Sequence, residues 1–478
     1  MVESPQFNDL REYIDLVREI DRFRVIEGAD WNLEIGAITE LQCEIPDSPM
    51  LVFDSIPGYP RGYRVASNVL NTPVRIALAL GLPLDAKGID LVRAIRGRLK
   101  GVKLVPPVDV GTGPVMENVH VGADVDILEF PVPRWHELDG GRYIVTGGMV
   151  ILRDPDEGWV NLGCYRVQVF DGATATVHIV DGHHGALIRR KYWERGLTVP
   201  AAIVCGQDPL LWYSSTTSAV PWKVSEYDYA GGLRNKPVEV VTGVTTGLPI
   251  PATAEIVLEG EIALPGGETR PEGPMGEWAG YVAGDSRPEP VFKAKAVLHR
   301  SDPIILGAPV NVGPFDLYNG SFLISAAALW DRLDAQLPGI RGVWISAEGR
   351  GSLLTIVSIR QMYPGHAKLV GMTASSGYDR INRYVIVVDE DIDPSNIGEV
   401  QWAIATRCDP ATSIDIIDGC WGMRSDPLLS PEKRARGEIT SSRAIIYACK
   451  PYPWRDQFPP SLRSRLELLE QVRAKFGL

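Results

Sequence analysis

Two glutamates open the question of what this chain does. The stretch RPEGPMGEWAGY, residues 270–281, sets Glu272 and Glu277 five positions apart among Gly, Pro and Met. Gly273, Pro274 and Gly276 argue against a helix, so the stretch reads as a loop. Loops shaped by Gly and Pro often carry functional side chains, and a close acid pair suits proton transfer. A solvated surface turn fits the same twelve residues, and the rest of the chain must decide between the two.

Other ionisable groups punctuate apolar runs. NLGCYRVQVF carries Asn161 and Arg166, which strand alternation sends to opposite faces unless Gly163 marks a bulge. VHIVDGHHGALIRRKY follows, with His183 and His184 in one turn; either imidazole also fits a hydrogen-bonded structural role. VPWKVSEYDYAGGLR places Glu226 among aromatics. Asn161, His184 and Glu226 offer O, N and O donors, a set suited to Mn²⁺ or Mg²⁺ over thiolate-bound zinc, though no spacing rule joins them. No GxGxxG, P-loop, HExxH or GxSxG motif supplies another cofactor or nucleophile.

These residues need a scaffold, and 478 residues suffice for two or three domains. Hydrophobic content of 45% and charged content of 23% are those of an ordinary globular protein. A net charge of −12 disfavours general binding to nucleic acid or anionic membranes. Cys43, Cys164, Cys205, Cys408, Cys420 and Cys449 show no paired spacing and read as reduced thiols. With no signal-like start and no apolar run of membrane length, the expectation is a cytoplasmic protein.

The expected fold class is α/β. Residues 1–105 read as a small α/β segment. Its first helix carries Leu10, Tyr13, Ile14 and Val17 after an Asn8 cap; helical pieces at 33–41 and 74–97 flank the strand MLVFDSI. From 106 to 322, short β-branched runs such as TATVHIV, AAIVCG and AEIVLEGEIAL predict a β-barrel or sandwich. From 323 to 478, helix LISAAALWDRLDAQL and strands GVWISA and YVIVVDE predict an α/β layer. A last helix, capped by Ser461, shows a stripe of Leu462, Leu466, Leu469 and Phe476 for docking on its own core or on a second subunit.

NLGCYRVQV, DGHHG, VSEYDYAGGLR, RPEGPMGEWAGY and YVIVVDEDIDP, in that order, resemble the UbiD family of decarboxylases; NLEIGAITE and WAIATRCDP extend the match over nearly the whole chain. The resemblance implies a split-barrel, flavin-binding-like central domain and a prenylated FMN held through Mn²⁺ (or Mg²⁺) and K⁺. It assigns the divalent metal to Asn161, His184 and Glu226, and catalysis to Arg166, Glu272 and Glu277. His183 matches a flavin-contacting position. Thr217 and Ser218 in SSTTSAVP match the loop beside the flavin and K⁺. Arg383 sits near a phosphate-contacting lysine of the family. A homodimer or dimer-based oligomer and an upstream flavin prenyltransferase are also implied.

The expected reaction is reversible, non-oxidative decarboxylation of an aromatic, heteroaromatic or α,β-unsaturated acid, with Glu277 as proton donor. A metal-dependent hydrolase using Glu272 and Glu277, and a subunit of a multi-component carboxylase, are the alternatives. In the family the segment APVNVGPFDLYNGSFLI closes over the substrate ring. Phe315, Leu317 and Phe322 would then supply apolar wall. Asn319 reads as an Asn-Gly turn residue, or as an amide facing a polar substrate ring.

Overall fold

The structure, a computed structural model, describes residues 7–477 apart from 46, 218–219, 283, 313–315, 348 and 377–380. The chain is mixed α/β, with a curled antiparallel half-barrel sheet at its centre.

The first helix, Leu10–Ile20, buries the expected stripe of Leu10, Tyr13, Ile14 and Val17. Its cap is Asp9, not Asn8: the Asp9 carboxylate accepts the Glu12 N–H at 2.8 Å, and the Asn8 backbone N–H donates to the Glu12 carboxylate at 2.7 Å. This reciprocal pair satisfies two helix-start groups, and Asn8 lies one residue too early to cap. The nearby sheet runs Phe23–Glu27, Met50–Asp54, Arg64–Ser67 and Ile304–Leu306. Its last strand arrives from far along the chain and pairs in parallel with Arg64–Ser67.

The central sheet has ten strands and turns on the long strand Arg287–His299, which pairs with Asn118–Val121, Thr174–Val177, Ile256–Ile262 and Thr269–Glu272. Both faces are covered, which explains continuous apolar runs in place of alternation. Val150 and Leu152 face one core while Met149 and Ile151 face another.

A mixed five-stranded sheet follows, in the order Ile340–Ile345, Leu354–Ile359, Tyr384–Asp389, Thr440–Ala448, Ile414–Trp421. The helix Asp316–Asp334 packs against it and against Gly88–Leu99, where Arg96 bonds Asp331 at 2.6 Å and Asp334 at 2.5 Å. The backbone of Asn319 is therefore helical, which removes the turn reading: tertiary packing overrides a local Asn-Gly signal.

The terminal helix spans Leu466–Phe476 and starts after Arg465. Ser461 is not its cap, and Leu462 precedes it, because the chain turns helical later than the apolar spacing suggested. Leu468, Leu469 and Phe476 are exposed, so this helix does not dock on its own core. All six cysteines are free, and among the described residues no helix is long and apolar enough to cross a membrane.

Candidate active site

The strand Thr269–Glu272 delivers Glu272 at its last residue, and the irregular loop starts only at Gly273. The first glutamate thus rides on a strand and the second on the loop. Arg166 joins them. Its Nε and Nη2 grip the Glu272 oxygens at 2.7 and 2.9 Å, while Nη1 reaches one Glu277 oxygen at 3.4 Å. The Glu272 side chain is wholly buried and that of Glu277 is 25% exposed.

Burial alone would raise the Glu272 pKa, but the Arg166 hydrogen bonds and charge outweigh it and hold the carboxyl below its ordinary range. Burial likewise opposes the charge on Arg166, and Glu272 overrules it, raising the guanidinium pKa. One acid is a fixed anion, and the other keeps an accessible carboxyl.

A second set of contacts fixes this geometry. The Tyr143 hydroxyl lies 3.3 Å from Glu272 and 3.1 Å from Gln168 Oε1. Gln168 Oε1 also accepts the Gly273 N–H at 2.8 Å, and Gln168 Nε2 donates to the Gly140 carbonyl at 3.2 Å. Gly140 in turn donates to the Pro274 carbonyl at 2.8 Å, and a Cβ there would meet the Gly273 oxygen at 2.0 Å. Past Glu277, the Trp278 indole donates to Ser425 at 3.0 Å and packs with Ile381, docking the loop on the C-terminal sheet region.

None of Tyr143, Gln168, Gly140 or Trp278 stood out in sequence. Only Gln168 left a signal, two residues from Arg166 and so on the same side of an extended segment. Asn161 and Arg166 do not share one bulged strand: the first lies in Val160–Gly163, and the second precedes Val167–Val169 after an irregular link.

Asn161 meets Glu226 directly. The Asn161 amide donates to Glu226 Oε1 at 2.9 Å and the Leu162 N–H to Oε2 at 2.7 Å, yet the buried Asn161 Oδ1 has no hydrogen-bond partner. Burial pushes Glu226 up to about 7, against the bonds from Leu162, its own N–H and Asn161. The helices His184–Glu194 and Glu226–Arg234 both pack against Val160–Gly163.

His184 sits in an aromatic box, its ring 5.0 Å from Trp222 and 6.0 Å from Trp159. Burial first, then a nearby imidazole (His178 for His183, and His183 for His184), lowers the pKa of both rings and favours their neutral forms. An orphaned amide oxygen, a buried carboxylate and a neutral imidazole around one strand fit a hard divalent cation.

The remaining expected residues lie on other elements. Thr217 follows the helix Pro209–Thr216 and is half-buried; Ser218 and Phe315 lie outside the described residues. Leu317 and Asn319 fall in Asp316–Asp334. Phe322 is 8% exposed and packs over Gly351. Arg383 pairs with Asp426 beside the C-terminal sheet.

Comparison with known proteins bears on this site. Models of the UbiD family, described as the N-terminal, Rift-related and C-terminal domains of 3-octaprenyl-4-hydroxybenzoate carboxy-lyase, match residues 14–95, 107–313 and 320–448. A pyrrole-2-carboxylic acid decarboxylase of Pseudomonas aeruginosa is 33% identical, over 96% of this chain and 97% of that protein. A phenolic acid decarboxylase of Bacillus subtilis is 32% identical, over 89% of this chain and 90% of that one. The UbiD-class enzyme HmfF from Pelotomaculum thermopropionicum, solved in complex with FMN, superposes with a TM-score of 0.86 at 25% identity, covering 98% of this chain and 100% of its own.

Proposed function

Because this chain belongs to the UbiD family of carboxy-lyases, we propose that it catalyses reversible, non-oxidative decarboxylation of an aromatic or heteroaromatic acid, or a related α,β-unsaturated acid, with prenylated FMN. Membership of a carboxy-lyase family sets the hydrolase alternative aside. The observation that carries the proposal is the unequal hold of Arg166 on its two glutamates. Relatives named for pyrrole-2-carboxylic and phenolic acids support the substrate class.

Direct loss of CO₂ from an sp² carbon leaves a carbanion that water does not stabilise, and the prenylated flavin supplies, when bound, an electron sink for it. The chain's residues do the rest. Glu272, held ionised, fixes the Arg166 plane and leaves the Nη1 edge to orient a substrate carboxylate. Glu277 then gives its proton to the carbon that lost CO₂ and recovers one from solvent through its exposed side.

Asn161, His184 and Glu226 would hold Mn²⁺ or Mg²⁺. The two helix starts at His184 and Glu226 favour an anionic phosphate nearby. His183, Thr217, Ser218 and Arg383 complete the proposed flavin and K⁺ contacts, and Phe315, Asn319 and Phe322 are the proposed substrate residues. A flavin prenyltransferase would supply the cofactor, and the exposed terminal helix suits a homodimer.

The test is Glu277→Gln in cofactor-loaded enzyme, assayed on a panel of aryl, heteroaryl and cinnamic-type acids. Turnover and exchange of the product hydrogen with D₂O should fall together by at least about 100-fold while the flavin spectrum persists. Near-normal exchange in the variant would assign the proton to another group.

A further inference from the structure

Away from the acid pair, on the opposite flank of the long strand, three potential ligands converge that the proposed chemistry does not use. His120 lies on Asn118–Val121, His299 ends Arg287–His299, and Glu129 closes the short turn Ile127–Glu129. The two strands pair antiparallel with His120 opposite Val297, so His299 is its diagonal neighbour on the same face, ring centres 5.4 Å apart.

One ligand atom from each of the three lies within 4.8 Å of the others. His299 Nε2 faces Glu129 Oε1 at 3.9 Å, too far for a hydrogen bond.

The imidazoles are oriented as metal ligands are. His299 Nδ1 lies 2.8 Å from the Arg300 carbonyl, and His120 Nδ1 lies 3.3 Å from the Asp124 carbonyl. A carbonyl only accepts, so each Nδ1 carries the proton and each neutral ring presents an Nε2 lone pair. Glu129 Oε1 is buried with no hydrogen-bond partner, an unusual state for a carboxylate oxygen. Phe130, edge-on at 5.2 Å, and Tyr63 at 6.3 Å wall His299 from solvent.

We infer that His120, Glu129 and His299 form a second metal site, selective for Zn²⁺-like borderline cations and distinct from the Asn161, His184 and Glu226 set. Two imidazoles and one carboxylate are a zinc donor set, with water as fourth ligand. Bonds of about 2.0–2.2 Å place tetrahedral ligand atoms roughly 3.4 Å apart. The three side chains therefore close by about 1 Å around the ion, a movement within rotamer adjustment. The bound ion pins the turn Ile127–Glu129 onto the sheet beneath Tyr63 of the N-terminal region.

Metal-stripped, full-length His184→Ala protein, in which the other set has lost its imidazole, is titrated with Co²⁺ alone. The expected result is one saturable equivalent with intense tetrahedral visible bands, displaced by Zn²⁺. Added His120→Ala or Glu129→Gln should weaken binding by more than about 100-fold, beyond the usual effect of losing a partner that only orients a ligand. His120 is half-exposed and Glu129→Gln keeps its shape, so circular dichroism should show both variants folded. Absence of a saturable band up to about 1 mM Co²⁺, bands typical of six-coordinate cobalt, or binding unchanged in both variants would overturn the site. The readout needs neither flavin nor turnover, so it fails or succeeds independently of the decarboxylase reading.

Discussion

Glu226→Gln should make the metal-free chain more stable at pH 8 while abolishing binding at the proposed divalent metal site. In the folded chain Glu226 is buried and pushed up to about 7 from the ordinary 4.5, so ionising it costs more there than in the unfolded chain. The sign follows from linkage. The unfolded carboxyl ionises first, so stability falls as pH rises from about 4.5 to about 7 and is level above. At about 1.4 kcal/mol per pH unit the penalty comes to about 3 kcal/mol.

Glutamine mimics the neutral acid. Its oxygen can accept the Leu162 N–H, and its NH₂ can donate to the free Asn161 Oδ1 once that amide flips. Urea unfolding of EDTA-treated wild type and variant, at pH 4.5 and pH 8, measures the difference. The two should agree at pH 4.5, and the variant should lead by about 3 kcal/mol at pH 8. With Mn²⁺ present, only the wild type should be stabilised. Equal destabilisation of the variant at both pH values, or retained Mn²⁺ binding, would refute this account of Glu226.

Arg166→Ala strands a buried anion at Glu272 and should cost about 3–5 kcal/mol; adding Glu272→Gln should restore part of the stability but no activity, and strict additivity would show the pair is uncoupled. Glu272 has a depressed pKa, so its stabilisation is present above about pH 4.5 and is lost as pH falls through the lower folded value. Glu272→Gln should accordingly flatten the acid limb of the stability curve, and an unchanged limb would contradict the Arg166 pairing. Gly140→Ala drives a Cβ into the Gly273 carbonyl and should cost at least about 3 kcal/mol with loss of activity. Gly97→Ala, in the helix Gly88–Leu99 with open space around it, should stabilise by up to about 1 kcal/mol; thermal melts of the two compare backbone clash with helix propensity.

The ordered motifs alone identified the family, and apolar texture alone showed a strand-rich centre and helix-containing flanks, because strand and helix periodicities are local properties. Arg166, Glu272 and Glu277, which the structure brings into one ion-paired cluster, were singled out by motif. What the sequence could not disclose is how they are held. Arg166 and Glu272 are 106 positions apart and meet only because sheet pairing brings Thr269–Glu272 alongside Arg287–His299. Tyr143, on Arg142–Val145, and Gly140, in the bend before it, reach the pair from a separate segment, and no local pattern marks either one. The raised pKa of Glu226 and the convergence of His120, Glu129 and His299 arise from burial and register. Both are long-range consequences of closing the sheet, and no local pattern encodes them.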